Sequence, residues 1–129
     1  MILDSSAVVA ILFREPAYEP LLDAVCDAGE SGIGAPTLVE TSIVLSARTG
    51  NDSRGILSRF LAEAAIITIP FGDAHWSTAV EAWLRFGKGR HPAALNFGDC
   101  LAYATARVAG RPLLCVGNDF ARTDLETVA

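Results

Sequence analysis

Short apolar runs alternate along this chain with longer segments of helical periodicity. The runs comprise residues 1–4, a stretch near Ile33, residues 65–69 and residues 113–116. Apolar runs of this length are typical of strands buried on both faces, and their alternation with helices predicts a parallel sheet covered on both sides. We therefore predict an α/β protein with three layers, α/β/α, around a short central parallel sheet.

Length and composition predict a single domain over residues 1–129. Of the 129 residues 51% are hydrophobic and 19% are charged, which excludes a disordered or purely solvating segment. No apolar run has the length of a membrane span, and the stretch after Asp4 lacks the basic flank of a signal peptide. We expect a cytoplasmic protein without a membrane contact. Three cysteines without paired spacing are interpreted as small buried hydrophobic residues: Cys26, Cys100 and Cys115.

The net charge of −5, from 15 acids and 10 basic residues, bears on the class of partner. It argues against a protein that grips nucleic acid through a generally basic surface. It leaves a nuclease possible, because acids that hold a metal ion add to the negative total. It also suits a protein that binds a basic partner segment.

Glu40 is the acid with the most unusual sequence context. Helical spacing places it on one face with apolar residues, and we expect this face to point to the core: Pro36, Val39, Ile43, Val44 and Ala47. A carboxylate there is costly unless a cation or hydrogen bonds compensate it. The alternative is a glutamate at the edge of the stripe that reaches solvent or an arginine.

Three further acids fall where the strands of a parallel sheet end. Asp4 follows the first strand, Asp119 follows the strand at residues 113–116, and Asp99 opens a helix. Taken singly, each has an ordinary alternative as a helix cap or a turn residue. Together they converge on the rim where open α/β sheets bind ligands, with Glu40 one turn into the helix after the second strand.

A group of carboxylates without a His or Cys partner predicts a site for a hard cation. Neighbouring carboxylates repel one another, so that some are protonated or a metal ion is bound. Oxygen ligands favour Mg²⁺ and make zinc an unsuitable ion. Such an ion can activate a water molecule and neutralise phosphate charge during hydrolysis.

A run of cationic residues precedes the Asp99 helix in this otherwise acidic chain. It consists of Arg85, Lys88, Arg90 and His91. One interpretation is a loop that grips phosphate beside the metal site, with Lys88 and Arg90 binding substrate. The alternative is a solvated loop.

Three segments resemble the acidic motifs of PIN domains, in the pattern of VapC toxins. They are Asp4-Ser-Ser6-Ala7, Leu38-Val-Glu-Thr41 and Asn96-Phe-Gly-Asp99-Cys100. Lys88-Gly-Arg-His91 before the third motif and Gly117-Asn-Asp-Phe120 after it strengthen the resemblance, which covers essentially the whole chain. It implies a Mg²⁺-dependent endoribonuclease, with Mn²⁺ as a substitute ion, that forms the toxin of a type II toxin–antitoxin system.

The resemblance also implies roles and partners. Asp4 and Asp99 would bind the metal, and Glu40 would complete the site directly or through water. Ser6 matches the small hydroxyl residue of the first motif and is assigned to the substrate side. Asp119 matches the fourth acid, with Asp124 as the alternative. The implied partners are an RNA substrate, a cognate VapB-type antitoxin and a second copy of the chain. The antitoxin is expected near the first two helices, at Phe13, Leu21, Leu22 and Val25.

Other protein classes make different demands on the sequence. A phosphoacceptor receiver domain needs a lysine after a late strand, but Lys88 lies in a loop between helices. A haloacid-dehalogenase-like phosphatase needs a second Asp at position 6, where this chain has Ser6. A PIN fold that only binds a partner, without catalysis, stays open as the alternative function.

Overall fold

The computed structural model describes residues 1–128 and contains one sheet of five parallel strands. The strands are β1 (Ile2–Leu3), β2 (Ser31–Gly34), β3 (Ile66–Ile69), β4 (Leu113–Leu114) and β5 (Thr127–Val128). Their order across the sheet is β3-β2-β1-β4-β5, with Ile2 opposite Gly32 on one side and Leu113 on the other. The predicted α/β class with a short central parallel sheet is confirmed.

Within residues 1–128, six α-helices cover the two faces of this sheet. They are α1 (Ser5–Leu12), α2 (Tyr18–Asp27), α3 (Ala35–Thr49), α4 (Arg54–Glu63), α5 (Asp73–Phe86) and α6 (Phe97–Ala109). Successive side chains of a strand point to opposite faces. Accordingly, Ile2 and Leu113 pack with the buried residues of α5 and α6, whereas Leu3 and Leu114 pack with those of α1 to α4. One core therefore lies on each face of the sheet, between the sheet and the helices, which gives three layers, α/β/α.

The chain reverses its direction across the sheet beside β1. It runs from β1 outward to β2 and β3, then returns to β4 on the other side of β1 and ends at β5. Ligands of open α/β sheets bind outside the carboxyl ends of the strands at such a reversal. Asp4 lies at this point, and its backbone N–H donates to the carbonyl of Leu114 at 2.9 Å.

Details at the ends of elements differ from the sequence-based expectation. β4 ends at Leu114, two residues before the predicted end, and a 3₁₀ helix (Phe120–Arg122) was not predicted. Asp4, and not Ser5 or Ser6, is the residue that caps α1. None of the helices within residues 1–128 is long and apolar enough to cross a membrane.

The cysteines follow the sequence-based interpretation at two of three positions. Cys100 and Cys115 are buried, and burial raises the pKa of each thiol to about 11. Cys26 is exposed, so its predicted burial was wrong. The cause is the orientation of α2, which buries Leu21 and Val25 on its other side.

Candidate active site

Asp4 combines a structural role with an electrostatic cost. Its side chain is 4% exposed and caps α1 by accepting from the backbone N–H of Ser6 at 3.1 Å. The ordinary alternative of a helix cap is therefore correct. No basic side chain within residues 1–128 pairs with the Asp4 carboxylate. Burial is the main cause of a raised pKa, which the hydrogen bonds from Ser6 partly oppose. A buried carboxylate with a raised pKa is one that a cation would stabilise.

Ser6 connects Asp4 to the end of β4. Its hydroxyl donates to Oδ2 of Asp4 at 2.5 Å and accepts from the backbone N–H of Val116 at 3.0 Å. All three groups lie at the reversal point of the sheet. Both bonds engage the hydroxyl within the protein, so that in this geometry Ser6 orients Asp4.

Asp99 is the third residue of α6 and belongs to a capping box. Its backbone N–H donates to the Asn96 side chain at 2.8 Å, and its Oδ2 accepts from the backbone N–H of Asn96 at 3.0 Å. Burial is the largest cause that raises the pKa of Asp99 to about 6; the Asn96 bond lowers it, and negative charges raise it further, from Asp4, Asp119 and Glu40. The structure thus brings all four predicted acids into one electrostatic neighbourhood.

Glu40 is half-buried on α3 and accepts a hydrogen bond from the Ser5 hydroxyl at 2.8 Å. The expectation that its apolar neighbours face the core was wrong: Val39 is 60% exposed and Ile43 is 63% exposed. The buried face of α3 carries Thr37, Thr41 and Leu45 instead. Thr41 can be buried because its hydroxyl donates to the carbonyl of Thr37, which removes the cost of an unpaired polar group.

The two candidates for the fourth acid have different surroundings. The charge of Asp119 raises the pKa values of both Asp99 and Cys115, which places this exposed acid beside the cluster. Asp124 is engaged elsewhere: it accepts from Tyr103 at 2.6 Å and forms ion pairs with Arg107 at 2.8 Å and Arg85 at 3.2 Å. These surroundings favour Asp119 over Asp124 as the fourth acid of the cluster.

The cationic run divides into engaged and available side chains. Arg85 pairs with Asp124, and His91 packs its ring against Phe86 while its Nδ1 accepts from a backbone N–H. Lys88 and Arg90 are exposed and have no ion pair within residues 1–128. The Arg90 Nε donates to the carbonyl of Leu84 at 3.2 Å, and its guanidinium lies 4.7 Å from the centre of the Trp83 ring. Arg122, which also lacks an ion pair within residues 1–128, donates to the carbonyl of Pro92 in the same loop. Its position was not apparent from the sequence.

The donor set fits a hydrated hard cation. None of the four acids forms an ion pair with a basic side chain in the described part of the chain, although acids elsewhere, such as Asp52 and Asp124, do. Among residues 1–128, no three His, Cys, Asp or Glu side chains lie close enough together to hold one ion between them. The oxygen donors therefore suit an ion that keeps several waters and is bound directly by one or two carboxylates, as Mg²⁺ commonly is.

Two apolar surfaces of the molecule differ from the sequence-based expectation. The seven-residue spacing of Trp76 and Trp83 on one helical face predicts packing residues, but they are 59% and 44% exposed, because α5 buries its small residues Ala79 and Ala82 together with Phe86. Leu21 and Val25, expected in an open groove, are buried in the core. Open concavities lie elsewhere: about 540 Å³ between α5 and α6, and about 460 Å³ along α3 and α4.

Sequence comparison finds relatives along nearly the whole chain. A PIN-domain family model matches residues 1–126. The chain is similar to Ribonuclease VapC36 of Mycobacterium tuberculosis, with 47% identity over 127 residues that cover 98% of this chain and 91% of the relative. It is also similar to Ribonuclease VapC of Mycolicibacterium smegmatis, with 40% identity over 128 residues and 99% coverage of each protein.

Solved structures share the fold at low sequence identity. The Mycobacterium tuberculosis toxin VapC20, which cleaves the sarcin–ricin loop, matches with a TM-score of 0.79 and 17% identity, covering 98% of this chain and 97% of the toxin. A chain of the VapBC2 structure from Rickettsia felis, bound to a DNA fragment from its promoter, matches with a TM-score of 0.77 and 16% identity, covering 99% of this chain and 96% of that one.

Proposed function

We propose, from the premise that this chain belongs to the PIN-domain family and to its VapC ribonucleases, that its four acids form a Mg²⁺ site for RNA hydrolysis. Mn²⁺ would substitute for Mg²⁺. The observation that carries the proposal is the convergence of unpaired carboxylates at the reversal point of the sheet, where burial first, and then the neighbouring acids, raise the pKa of Asp99 to about 6. A divalent cation removes the electrostatic cost of this arrangement.

The four acids have different roles in the proposed site. Asp4 and Asp99 each have one oxygen engaged by a helix cap, which leaves the other oxygen for the ion. The chemistry that Mg²⁺ would supply when bound there is a lower pKa for water and neutralisation of charge on the phosphate. Glu40 orients the attacking water, because Ser5 holds its carboxylate at the edge of the cluster. Asp119 adds an outer acid from the loop after β4.

Substrate binding is assigned to the cations that the protein leaves unpaired. Six of the basic side chains have acidic partners: Arg48, Arg54, Arg59, Arg85, Arg107 and Arg111. Arg14, after α1, has none within residues 1–128. Lys88, Arg90 and Arg122 also have none there, and all three belong to, or contact, the loop before α6. We assign them to the RNA backbone, which basic side chains bind without regard to sequence.

The test is cleavage of total cellular RNA by purified, antitoxin-free protein. We expect discrete fragments with Mg²⁺, none with excess EDTA, and a rate at least about 100-fold lower for Asp99→Asn, since the loss of a positioned catalytic group typically costs that much. Asp23→Asn is the matched control, because Asp23 is an exposed acid of α2 outside the cluster. This variant removes the same charge and should cleave like the wild type.

Two outcomes would contradict the assignment. Wild-type cleavage by a folded Asp99→Asn variant would remove Asp99 from the site. Absence of cleavage by wild-type protein that is folded and binds Mg²⁺ would favour the PIN fold that only binds a partner.

A homodimer is proposed on the exposed face of α5 and α6. We call this surface the α5–α6 face; it consists of Trp76, Val80, Trp83, Leu84 and Phe97. Helical spacing puts the four α5 residues on one side of the helix, and Phe97 at the start of α6 is 80% exposed. Contiguous exposed apolar surface of this kind marks an interaction site.

A VapB-type antitoxin is proposed as the partner of a second surface, in keeping with a toxin of a type II toxin–antitoxin system. We call it the α3–α4 concavity; it is lined by Leu38, Val39, Ile43, Leu57, Leu61 and Thr68. Val39 directly precedes Glu40, so an apolar segment seated here ends beside the carboxylates. A basic side chain of that segment could then pair with the acids and exclude the metal ion.

A further inference from the structure

The carboxylate of Glu40 is enclosed by two residues that are not acids. The Ser5 hydroxyl donates to Oε1 at 2.8 Å. Oε2 lies against the α-carbon of Gly98, so closely that a Cβ built on Gly98 would overlap it. Glu40 is therefore held between the first turn of α1 and the first turn of α6.

Neither Ser5 nor Gly98 is required by the helix in which it lies. Asp4 already caps α1, so the Ser5 hydroxyl is not needed there. Gly98 lies within α6 and does not have the left-handed backbone conformation that favours glycine. Alanine is a better helix former at such a position, so the missing Cβ carries a cost for the helix. What the glycine provides is space for Oε2.

We propose that Ser5 and Gly98 are positioning residues that fix the Glu40 carboxylate for the metal site. Ser5 holds one oxygen through its hydrogen bond, and Gly98 leaves room for the other. This inference rests on the proposed function for its effect on cleavage. The hydrogen bond and the space beside Gly98 involve protein atoms only, which allows a test that does not depend on metal.

Gly98→Ala gives the sharpest variant. The added Cβ meets the end of a flexible side chain, so the protein should fold, with a melting temperature equal to or above that of the wild type. Glu40 must move aside, and we expect cleavage and Mn²⁺ affinity to fall about 10- to 100-fold, the usual effect of losing a residue that orients a metal site. A merely structural role would couple lower activity to lower stability.

Ser5 is tested with a matched pair of variants. Ser5→Ala removes the donor and should lower kcat about 10-fold, with the KM for RNA unchanged because the cations that grip RNA are untouched. Ser5→Thr keeps the hydroxyl and should restore cleavage. In a Glu40→Ala background, neither Ser5→Ala nor Gly98→Ala should lower the residual rate further, because the carboxylate they position is absent.

The metal-free protein provides the independent readout. The ¹³C NMR resonance of the Glu40 carboxyl carbon should shift in Ser5→Ala and Gly98→Ala and keep its wild-type position in Ser5→Thr. Wild-type cleavage by Gly98→Ala, or equal losses from Ser5→Ala with and without Glu40, would overturn the proposal. If the wild type cleaves no RNA, the proposed function fails, but the NMR shifts still test whether Ser5 and Gly98 position Glu40. Absence of these shifts in Ser5→Ala and Gly98→Ala would overturn the positioning proposal.

Discussion

Asp99 links the electrostatics of the site to the stability of the protein. Burial, and then the neighbouring acids, raise its pKa from 3.8 to about 6 in the folded chain. A carboxyl whose pKa is higher in the folded state binds its proton more tightly there than in the unfolded chain. Without metal, the free energy of unfolding therefore falls as pH rises from about 4 through about 6, and ionised Asp99 destabilises the fold at neutral pH.

Removal of this carboxyl should flatten the pH dependence. In EDTA, we expect the melting temperature of the wild type, relative to that of Asp99→Asn, to rise by about 2–5 °C when pH is lowered from 7.5 to 5. The expected shift in melting temperature is modest because Asp99 is only partly buried and solvent screens its charge. Acids that do not interact with Asp99 titrate alike in both proteins and cancel, whereas the neighbouring acids contribute to the difference. Melting curves monitored by circular dichroism provide the measurement, and equal slopes in the two proteins would contradict the prediction.

The acids could be identified from the sequence, but the residues that position Glu40 could not. Asp4, Glu40 and Asp99 stand out because carboxylates next to apolar runs need a physical reason. Ser5 and Gly98 have no such signal, because their importance depends on contact with Glu40, which lies far from both along the chain. Such contacts follow from the packing of α1, α3 and α6, which no local pattern specifies.

At the scale of elements, the start of α6 carries both a cap and a candidate ligand. Asn96→Ala removes the side chain that accepts from the Asp99 N–H, and we expect a stability loss of about 1 kcal/mol. Asp99 keeps its bond from the Asn96 backbone, so cleavage should change little. Urea unfolding measures the loss. Asn96→Ser, which can still cap the helix, should recover most of it; an equally unstable serine variant would show that the cap is not the cause.

The elements themselves could be predicted well, and their orientations could not. Helical spacing around Glu40 correctly identified α3 as a helix, yet the apolar stripes of α3 and α5 both face outward. A stripe predicts which residues share a face, but the core took the face with small side chains: Ala79 and Ala82 on α5, and Thr37 and Thr41 on α3. Leu45 and Phe86 are also buried on these faces, and the small residues beside them allow each helix to approach the rest of the molecule closely.

At the scale of the whole molecule, two apolar surfaces stay open on a chain whose net charge is −5. The α5–α6 face and the α3–α4 concavity lie on different helices, which allows a second copy and an antitoxin to bind at the same time. The α5–α6 face contains Asn96 and Phe97 at its edge, close to Asp99. A dimer formed there would set two active sites beside one interface and leave Val39 and Ile43 free.

Trp76→Glu tests this division of surfaces. Trp76 is 59% exposed, so the substitution should leave the fold intact while it places a charge in the proposed dimer contact. We expect the dimer dissociation constant, measured by analytical ultracentrifugation, to rise at least about 30-fold, because loss of a central interface Trp commonly costs about 2 kcal/mol or more.

Ile43→Glu is the matched control on the α3–α4 concavity: it should keep the dimer and lose antitoxin binding. A Trp76→Glu protein that dimerises like the wild type would exclude the α5–α6 face. If Ile43→Glu dissociates the dimer instead, the second copy occupies the α3–α4 concavity and the antitoxin must bind elsewhere.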